Sequence, residues 1–307
     1  MKARLTLILI AIGLGFAPGL RAQLDPLQTQ YFLNKSLFNP GYLGSTGQLS
    51  ARMSARWQWV GMENAPRTQT LSAHMPTPDE RHGVGMNLQL DQYGHSSRFM
   101  LNFGYAYRIP MAGGHLGMGL DLGLRQFGLN LAGVDIPGPD PMLPNNRAST
   151  VLLMVGPGFY FQNQYAYAGI SMPNILPTPI SKLHGFFIST DKQPRTLYVM
   201  AGGAIPLGGS VKLRPSVLLR YSNPQQRLLD LGIGAMFIDR FMAGAIWRPG
   251  NSLAFHAQAY ITERLQLGYS YDLMTNTLKS FNSGGHELIL GVDLNVHKSS
   301  QDEPIRF

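Results

Sequence analysis

The stretch Leu116-Gly-Met-Gly-Leu-Asp-Leu-Gly-Leu-Arg125 alternates strictly between apolar residues and small or polar ones. Successive side chains of a β-strand point to opposite faces, so such a strand would carry its leucines and methionine on one face. The glycines, Asp121 and Arg125 would lie on the other face. A helix would need apolar residues three and four positions apart, which this stretch lacks. The stretch therefore predicts a strand that is apolar from end to end on one face.

The same alternation recurs along the chain, and apolar runs are short enough to exclude membrane-spanning helices. Only 14% of the residues are charged, against ~25% in ordinary soluble domains. Most predicted strands have the length that a tilted strand needs to cross a bilayer, ~9–11 residues. Composition alone also fits a secreted β-sandwich. We predict strands at 46–60, 66–75, 82–91, 97–108, 113–127, 150–161, 165–172, 195–206, 210–222, 226–238, 240–248, 251–262, 264–272 and 284–296.

The connections between these strands favour a barrel over a sandwich. Short turns are expected at 109–114, 162–164, 206–210, 238–240 and 262–264, and they alternate with longer connections. The longest irregular stretches, 128–150, 173–194 and 274–284, all fall at the opposite end. Outer-membrane barrels have short periplasmic turns and long extracellular loops, whereas a sandwich has no reason to sort its loops. We therefore predict an all-β transmembrane antiparallel outer-membrane β-barrel of about 14 strands over 46–296, with both termini periplasmic.

The two ends of the chain are expected to lie outside the barrel wall. Lys2 and Arg4 precede an apolar stretch, 5–17, which is too short to span a membrane. Residues 1–22 are therefore predicted to be a signal peptide, cleaved after Ala22. Residues 23–45 form a predicted periplasmic N-terminal segment, and 297–307 a periplasmic C-terminal tail. The chain has no cysteine, which excludes disulfides and a lipoprotein anchor.

The charge of the chain does not indicate a nucleic-acid partner. Removal of Lys2, Arg4 and Arg21 with the signal peptide lowers the formal charge from +8 to +5 (8 − 3 = 5). The remaining basic residues are scattered, and nucleic-acid binding needs a basic stripe or patch. We expect no nucleic acid among the partners.

A set of short motifs runs in order through the mature chain and resembles the PorP/SprF family of Bacteroidetes outer-membrane proteins, components of the type IX secretion system. One departure is Gly41, where the family's Asn-Pro-Ala-Tyr pattern has alanine. The motifs are Gln28-Thr-Gln-Tyr-Phe-Leu-Asn34, Phe38-Asn-Pro-Gly-Tyr-Leu-Gly-Ser45, Arg56-Trp-Gln-Trp-Val-Gly61, Ala65-Pro-Arg-Thr68, Asp91-Gln-Tyr-Gly94, Tyr165-Ala-Tyr-Ala-Gly-Ile-Ser-Met-Pro173, Leu213-Arg-Pro-Ser216, Leu267-Gly-Tyr-Ser-Tyr-Asp272 and Gly284-Gly-His-Glu-Leu288.

The resemblance implies a barrel that serves protein secretion and has no enzymatic role. Its implied partners are PorK/PorN-like ring proteins on the periplasmic side and secreted cargo or an adhesin on the outer side, with outer-membrane lipid around the wall. Some relatives support general export of cargo with C-terminal signal domains. Others act with one surface adhesin, often a gliding-motility protein.

Two regions are candidates for binding those partners. The segment 23–45 contains an aromatic and apolar cluster outside any strand, which either seals the periplasmic mouth of the barrel or acts as a plug or docking strap. The outer stretch 173–194 carries apolar residues that either meet a partner or form a lid over the barrel mouth. The candidate residues are Tyr31, Phe32, Phe38, Asn39, Pro40 and Tyr42 in the first region, and Leu183, Phe186 and Phe187 in the second.

Charged residues on the polar faces of the strands predict a network inside the lumen. Opposite charges there would offset each other's desolvation and hold a narrow barrel shut. The alternative is a selectivity filter for a small solute, which would make the protein a passive porin. The predicted network consists of Arg52, Arg56, Asp121, Arg125, Arg214, Arg220, Asp230 and Asp272, with Glu287 and Asp293 on the same faces.

No catalytic, cofactor or metal site is predicted. His286 and Glu287 are neighbours on a strand and point to opposite faces, so they cannot act as one acid–base unit. The segment around Ser270 alternates as a strand and lacks the last glycine of a nucleophile elbow. Four other histidines have no metal-ligand spacing, namely His74, His82, His95 and His115.

Overall fold

The computed structural model describes residues 26–131, 147–176, 195–222 and 226–295. They fold into antiparallel β-strands and short 3-10 helices. The strands are β1 Leu49–Trp57, β2 Arg67–Pro76, β3 His82–Tyr93, β4 Ser96–Met111, β5 Gly114–Asn130, β6 Arg147–Asn163, β7 Ala166–Ser171, β8 Thr196–Gly203, β9 Ile205–Gly208, β10 Val211–Ser222, β11 Gln226–Phe237, β12 Phe241–Arg248, β13 Ser252–Tyr260, β14 Leu265–Met274 and β15 Gly285–Leu294.

The strands close into a barrel in chain order. Each wall strand pairs with the next, and β15 returns to β1 in a register that runs from Leu49 opposite Leu294 to Trp57 opposite His286. Both β8 and β9 pair with β10, so together they form a single wall strand. The barrel therefore has 14 wall strands, and the predicted fold class is confirmed.

One predicted strand, 195–206, is interrupted in the structure. It breaks at Ala204, whose amide donates to the Tyr165 carbonyl oxygen at 2.8 Å, and β9 continues beyond the break. Pro206 has no N–H to give to the β-ladder. The pairing of β9 with β10 shifts register between Val211 and Lys212. The expected turn at 206–210 is therefore shorter, because Pro206 belongs to β9.

The connections sort to the two ends of the barrel as predicted. One end, the short-turn end, carries 77–81, 112–113, 164–165, 209–210, 238–240 and 261–264. Three of these turns hold non-glycine residues at positive φ, namely Glu80 at 57°, Ala112 at 51°, Ile238 at 47° and Asp239 at 53°. Tight two-residue hairpins between twisted strands require such residues. The other end, the long-loop end, carries the described connections 58–66, 94–95, 249–251 and 275–284, and residues 172–176 after β7. Most of the expected irregular stretches 128–150 and 173–194 lies outside the described residues, whereas 128–130 belong to β5 and 147–150 to β6.

The two faces of the wall differ as the alternation indicates. On β5, Leu120, Leu122 and Leu124 are exposed on the outside, while Asp121 and Arg125 are buried in the lumen. Closure pairs the backbone of each wall strand on both edges, which hydrocarbon demands because it offers no hydrogen-bond partner.

In the part of the chain that the structure describes, no helix is long and apolar enough to cross a membrane.

Candidate functional site

The lumen contains the chain that precedes β1. Residues 26–48, here called the plug, form the 3-10 helices Tyr31–Leu33, Lys35–Leu37 and Pro40–Tyr42 and are almost entirely buried. Thr29 lies beside Glu287 near the long-loop end, and Ser45 lies beside Gln162 at the short-turn end. The segment therefore follows the lumen lengthwise and is not confined to one mouth of the barrel.

The plug is attached at the short-turn end through the Asn39 side chain and through its own backbone. The Asn39 side chain caps the third helix, since its Oδ1 accepts from the Gly41 amide at 2.8 Å. Its Nδ2 donates to the carbonyl oxygens of Phe159 at 2.9 Å and Ile170 at 3.3 Å, which ties the plug to β6 and β7. Further along, Arg108 donates to the Gly44 carbonyl oxygen at 2.9 Å.

Glycines on the inner wall allow the plug backbone to approach. A Cβ added to Gly117 would lie 2.1 Å from the Gly41 carbonyl oxygen, and one added to Gly119 would lie 2.2 Å from the Pro40 carbonyl carbon. Close packing also explains why glycine stands at position 41, where the family pattern has alanine. A Cβ added to Gly41 would lie 2.7 Å from the Gly117 carbonyl oxygen. Alanine at position 41 would therefore force the plug away from the wall.

The other part of the plug is held by a carboxylate pair near the long-loop end. Glu287 accepts from the backbone amides of Thr29 at 2.8 Å and Gln30 at 3.0 Å. Asp272 accepts from the Thr29 hydroxyl at 2.7 Å. Arg56 completes this group, because it donates to Glu287 at 3.0 Å, to the Thr29 hydroxyl at 2.9 Å and to Asp272.

A second group of buried charges lies on the neighbouring wall. Asp230 accepts from Arg248 at 2.7 and 3.0 Å and from Arg220 at 3.0 Å. With Arg56, Asp272 and Glu287 these residues form the clamp, which holds three cations and three anions and is neutral overall. Such balance matters because an unpaired charge in the low-dielectric interior is costly.

The structure brings part of the predicted lumenal network together. Arg56 pairs with Asp272, and Arg220 pairs with Asp230. Arg52 pairs with Asp293, which lies on the same inner face, through two contacts at 2.8 and 3.0 Å.

The other three members of the predicted network lie apart from these pairs. Arg125 lies 3.7 Å from the Met100 sulfur. Asp121 and Arg214 are buried in the wall, and neither forms an ion pair with any residue in the described ranges. Within the described residues, the lumen therefore holds both ion pairs and two buried charges, Asp121 and Arg214, that form none.

Among the described residues, five buried charged residues of the lumen were not singled out from the sequence: Lys35, Asp91, Arg98, Arg108 and Arg248. Arg248 has the same strand parity as the inward Ile246, so its position could have been found from alternation alone. Lys35 lies in the plug, where no strand period exists to show its direction.

The predicted partner-binding residues of 23–45 lie inside the lumen. Tyr31 donates from its hydroxyl to Ser216 at 3.0 Å, and the Phe32 ring lies 4.8 Å from the His256 ring. Phe38, Asn39 and Pro40 are buried and Tyr42 is half-buried. The other candidates, Leu183, Phe186 and Phe187, lie outside the described residues.

The described residues contain no group of three or more His, Cys, Asp or Glu side chains that could hold a metal ion.

The fold is similar to that of known outer-membrane proteins. The Ralstonia pickettii toluene transporter TbuX aligns with a TM-score of 0.50 and 11% identity over 84% of this chain and 92% of its own. A Pseudomonas aeruginosa FadL homologue aligns with a TM-score of 0.48 and 10% identity, over 89% of this chain and 95% of its own. Acinetobacter baumannii Omp33 aligns with a TM-score of 0.44 and 8% identity, over 82% of this chain and 100% of its own. At these identities the likeness to TbuX shows the fold alone.

Curated proteins include no match to this sequence. Residues 20–292 match the family described as type IX secretion system membrane protein PorP/SprF. That match covers nearly the whole chain and agrees with the closed antiparallel barrel and its lipid-facing apolar surface. The chain is therefore an outer-membrane β-barrel that belongs to the PorP/SprF family of type IX secretion system membrane proteins.

Proposed function

We propose that this protein is a non-enzymatic platform of the type IX secretion system. In this role it binds periplasmic ring proteins of the PorK/PorN kind, cargo, or both, and so supports export or surface display of proteins with C-terminal signal domains. The plug is the observation that carries the proposal. A barrel whose lumen is filled by its own chain offers its two ends, and not its interior, to partners.

The plug also counts against the alternative of a passive porin. A solute channel needs a continuous water-filled path, whereas here the plug contacts the wall at both ends of the lumen. The clamp charges are paired with each other and with plug amides. They are therefore not free to select ions.

Each end of the barrel presents exposed apolar side chains that a protein partner could cover. At the short-turn end, Ile238 and Ile261 are exposed in the turns after β11 and β13. At the long-loop end, Phe281 is 70% exposed between β14 and β15. We assign the first end to ring proteins and the second to cargo, because short turns face the periplasm in bacterial barrels.

A matched pair of variants tests this assignment in a strain that lacks the chromosomal gene. Ile238→Asn removes an apolar group from a residue with φ of 47°, a conformation that asparagine adopts more readily. Phe281→Asn is the corresponding change at the other end. We expect Ile238→Asn to reduce co-purification of ring lipoprotein with the tagged barrel, and Phe281→Asn to leave that co-purification unchanged.

Secretion itself is the second readout. We expect the deletion strain to lose secreted or surface-displayed proteins with C-terminal signal domains, and the wild-type gene to restore them. A deletion strain that still exports all of these proteins would contradict the proposal. Steady open-channel conductance of the purified barrel in a planar bilayer would instead support the porin.

A further inference from the structure

A row of outward-facing side chains crosses four neighbouring strands at the long-loop end of the wall. The strand registers place His286 of β15 opposite Trp57 of β1, and Trp57 opposite Arg67 of β2. On the other side of His286, Tyr271 of β14 is its partner. Side chains directly opposite each other on neighbouring strands have Cβ atoms ~4.5–5.5 Å apart. These four residues, called the rim row, therefore form one continuous surface.

The rim row presents hydrogen-bond donors that are not used within the described residues. Arg67 is exposed and forms neither a hydrogen bond nor an ion pair there, and the Trp57 indole N–H has no acceptor there. The His286 ring is held by Tyr269, whose hydroxyl lies 2.7 Å from its Nδ1. The two unused donors belong to directly opposed residues, so one small ligand can contact both.

The positive charge of Arg67 is not balanced on this face of the wall. In the described chain, the outward faces of β14, β15, β1 and β2 carry no acidic residue. Asp272 and Glu287 lie on these strands, but they are buried in the lumen as members of the clamp. Glu63 is exposed in the connection 58–66 and forms no ion pair with a described residue. The face therefore carries one fixed positive charge and no negative charge.

The rim row lies at one edge of the apolar band of the barrel. Nearer the short-turn end, the outward residues of the same strands are apolar and exposed, such as Met53 and Leu290. On β3, Gln92 is opposite Arg67, and His82 packs against two tyrosines ten residues away (92 − 82 = 10). Ten residues of a strand tilted by ~40° rise by ~26 Å, close to the ~25 Å apolar band of outer-membrane barrels. The rim row is therefore at the level of lipid headgroups.

The chemistry of this surface matches a phosphate group attached to acyl chains. Arginine is the side chain that recognises phosphate oxygens with two parallel hydrogen bonds. An indole that lies at the boundary of the band can donate its N–H to a headgroup while its ring stays in the apolar layer. The apolar residues below the row provide a surface for acyl chains.

We propose that the rim row binds the phosphate of an outer-leaflet glycolipid of the lipid A type. Arg67 pairs with the phosphate oxygens, the Trp57 N–H donates to one of them, and the acyl chains lie along Met53 and Leu290. The choice of leaflet rests on the orientation proposed above, with the long-loop end outside. The phosphate site itself does not depend on that orientation or on a role in secretion.

Native mass spectrometry of the intact, detergent-purified barrel tests the site. The barrel would be titrated with monophosphoryl lipid A, with the same lipid after removal of its phosphate, and with phosphatidylglycerol. We expect one molecule of the phosphorylated glycolipid to bind saturably, with a lower apparent Kd than either of the other two lipids. Secretion does not enter this measurement, so its result is independent of the proposed platform role.

Three variants locate the binding. Arg67→Gln should raise the apparent Kd for monophosphoryl lipid A by about tenfold, as expected when a charge-assisted hydrogen bond is lost. Trp57→Phe keeps an aromatic ring and removes the N–H, so it should raise the Kd by a smaller factor. Arg227→Gln is the matched control. It removes an exposed arginine six wall strands away, whose guanidinium lies 5.5 Å from the centroid of the Tyr221 ring, and it should leave the Kd unchanged.

Equal affinity for the phosphorylated and dephosphorylated glycolipid would overturn the proposal. An equal rise in Kd for Arg67→Gln and Arg227→Gln would also overturn it, because both arginines would then act only through the total charge. Tighter binding of phosphatidylglycerol than of monophosphoryl lipid A would exclude the glycolipid as the ligand. Heat-modifiable migration in gels would show that each variant is folded before its Kd is compared.

Discussion

Buried and exposed acidic residues should differ sharply in how much they contribute to stability. Asp230 is fully buried between Arg220 and Arg248, whereas Asp239 binds Lys212 in an exposed turn. Removing one partner of a buried ion pair costs ~3–5 kcal/mol because the remaining charge is left uncompensated. Exposed pairs contribute only ~0–1 kcal/mol.

Asp230→Asn is therefore expected to lower the free energy of unfolding by ~3–5 kcal/mol, and Asp239→Asn by at most ~1 kcal/mol. Urea unfolding of the two variants in the same detergent, followed by tryptophan fluorescence, measures the difference. Equal losses in the two variants would mean that Asp230 is hydrated, and the clamp would then not hold the plug electrostatically.

Two glycines of β5, Gly117 on its inner face and Gly128 on its outer face, give a second prediction for single residues. In Gly117→Ala the new Cβ would meet the Gly41 carbonyl oxygen, which belongs to the plug backbone and cannot rotate away. Gly128→Ala would meet only the Ser97 hydroxyl, at 2.6 Å, and a hydroxyl can turn aside. We expect Gly117→Ala to cost ~1–3 kcal/mol, the usual range for overpacking, and Gly128→Ala clearly less. The same urea titration compares them, and a neutral Gly117→Ala would show that the plug does not press on this wall.

At the scale of elements, the strands were predictable because period two is a local signal. The expected segment 284–296 becomes β15 Gly285–Leu294, and 66–75 becomes β2 Arg67–Pro76. The break at Ala204 was not predictable, since the local contact there is with the Tyr165 carbonyl oxygen, in the turn between β6 and β7.

The course of the plug could not be derived in the same way. Its contacts join residues far apart in the chain, such as Thr29 and Glu287, and three short 3-10 helices carry no repeating pattern. Alternation placed Asp272 and Asp230 in the lumen but could not say which arginine each would meet. Pairing across a barrel is set by strand register and tilt, which the sequence of one strand does not contain.

The outer face of β5 gives a prediction that belongs to an element. Leu122 is exposed near the middle of this strand, and Gln126 lies on the same face, four residues nearer the long-loop end. An arginine facing lipid costs ~2–4 kcal/mol at the bilayer midplane and ~0–1 near its edges. Leu122→Arg should therefore destabilise the barrel in lipid vesicles more than Gln126→Arg does. Equal effects would place the midplane elsewhere on the strand.

For the whole molecule, the wall and the plug depend on each other. The small, polar inner faces would enclose an open lumen in the absence of the plug. With the plug present, its backbone packs closely against the inner-wall glycines, and its amides donate hydrogen bonds to a clamp carboxylate, that of Glu287. The same alternation therefore permits both a pore and the proposed closed platform, and the contacts of the segment before β1 favour the platform.

The absence of cysteine from the chain allows this arrangement to be tested with single Ser→Cys substitutions. Ser36→Cys lies in the buried plug, Ser210→Cys in an exposed turn at the short-turn end, and Ser280→Cys on an exposed part of the long-loop end. In intact cells, a membrane-impermeant maleimide should label only Ser280→Cys. Permeabilising the outer membrane should add Ser210→Cys, and Ser36→Cys should react only after denaturation. Labelling of Ser210→Cys but not Ser280→Cys in intact cells would invert the orientation. Rapid labelling of Ser36→Cys in the native barrel would mean that the lumen is open.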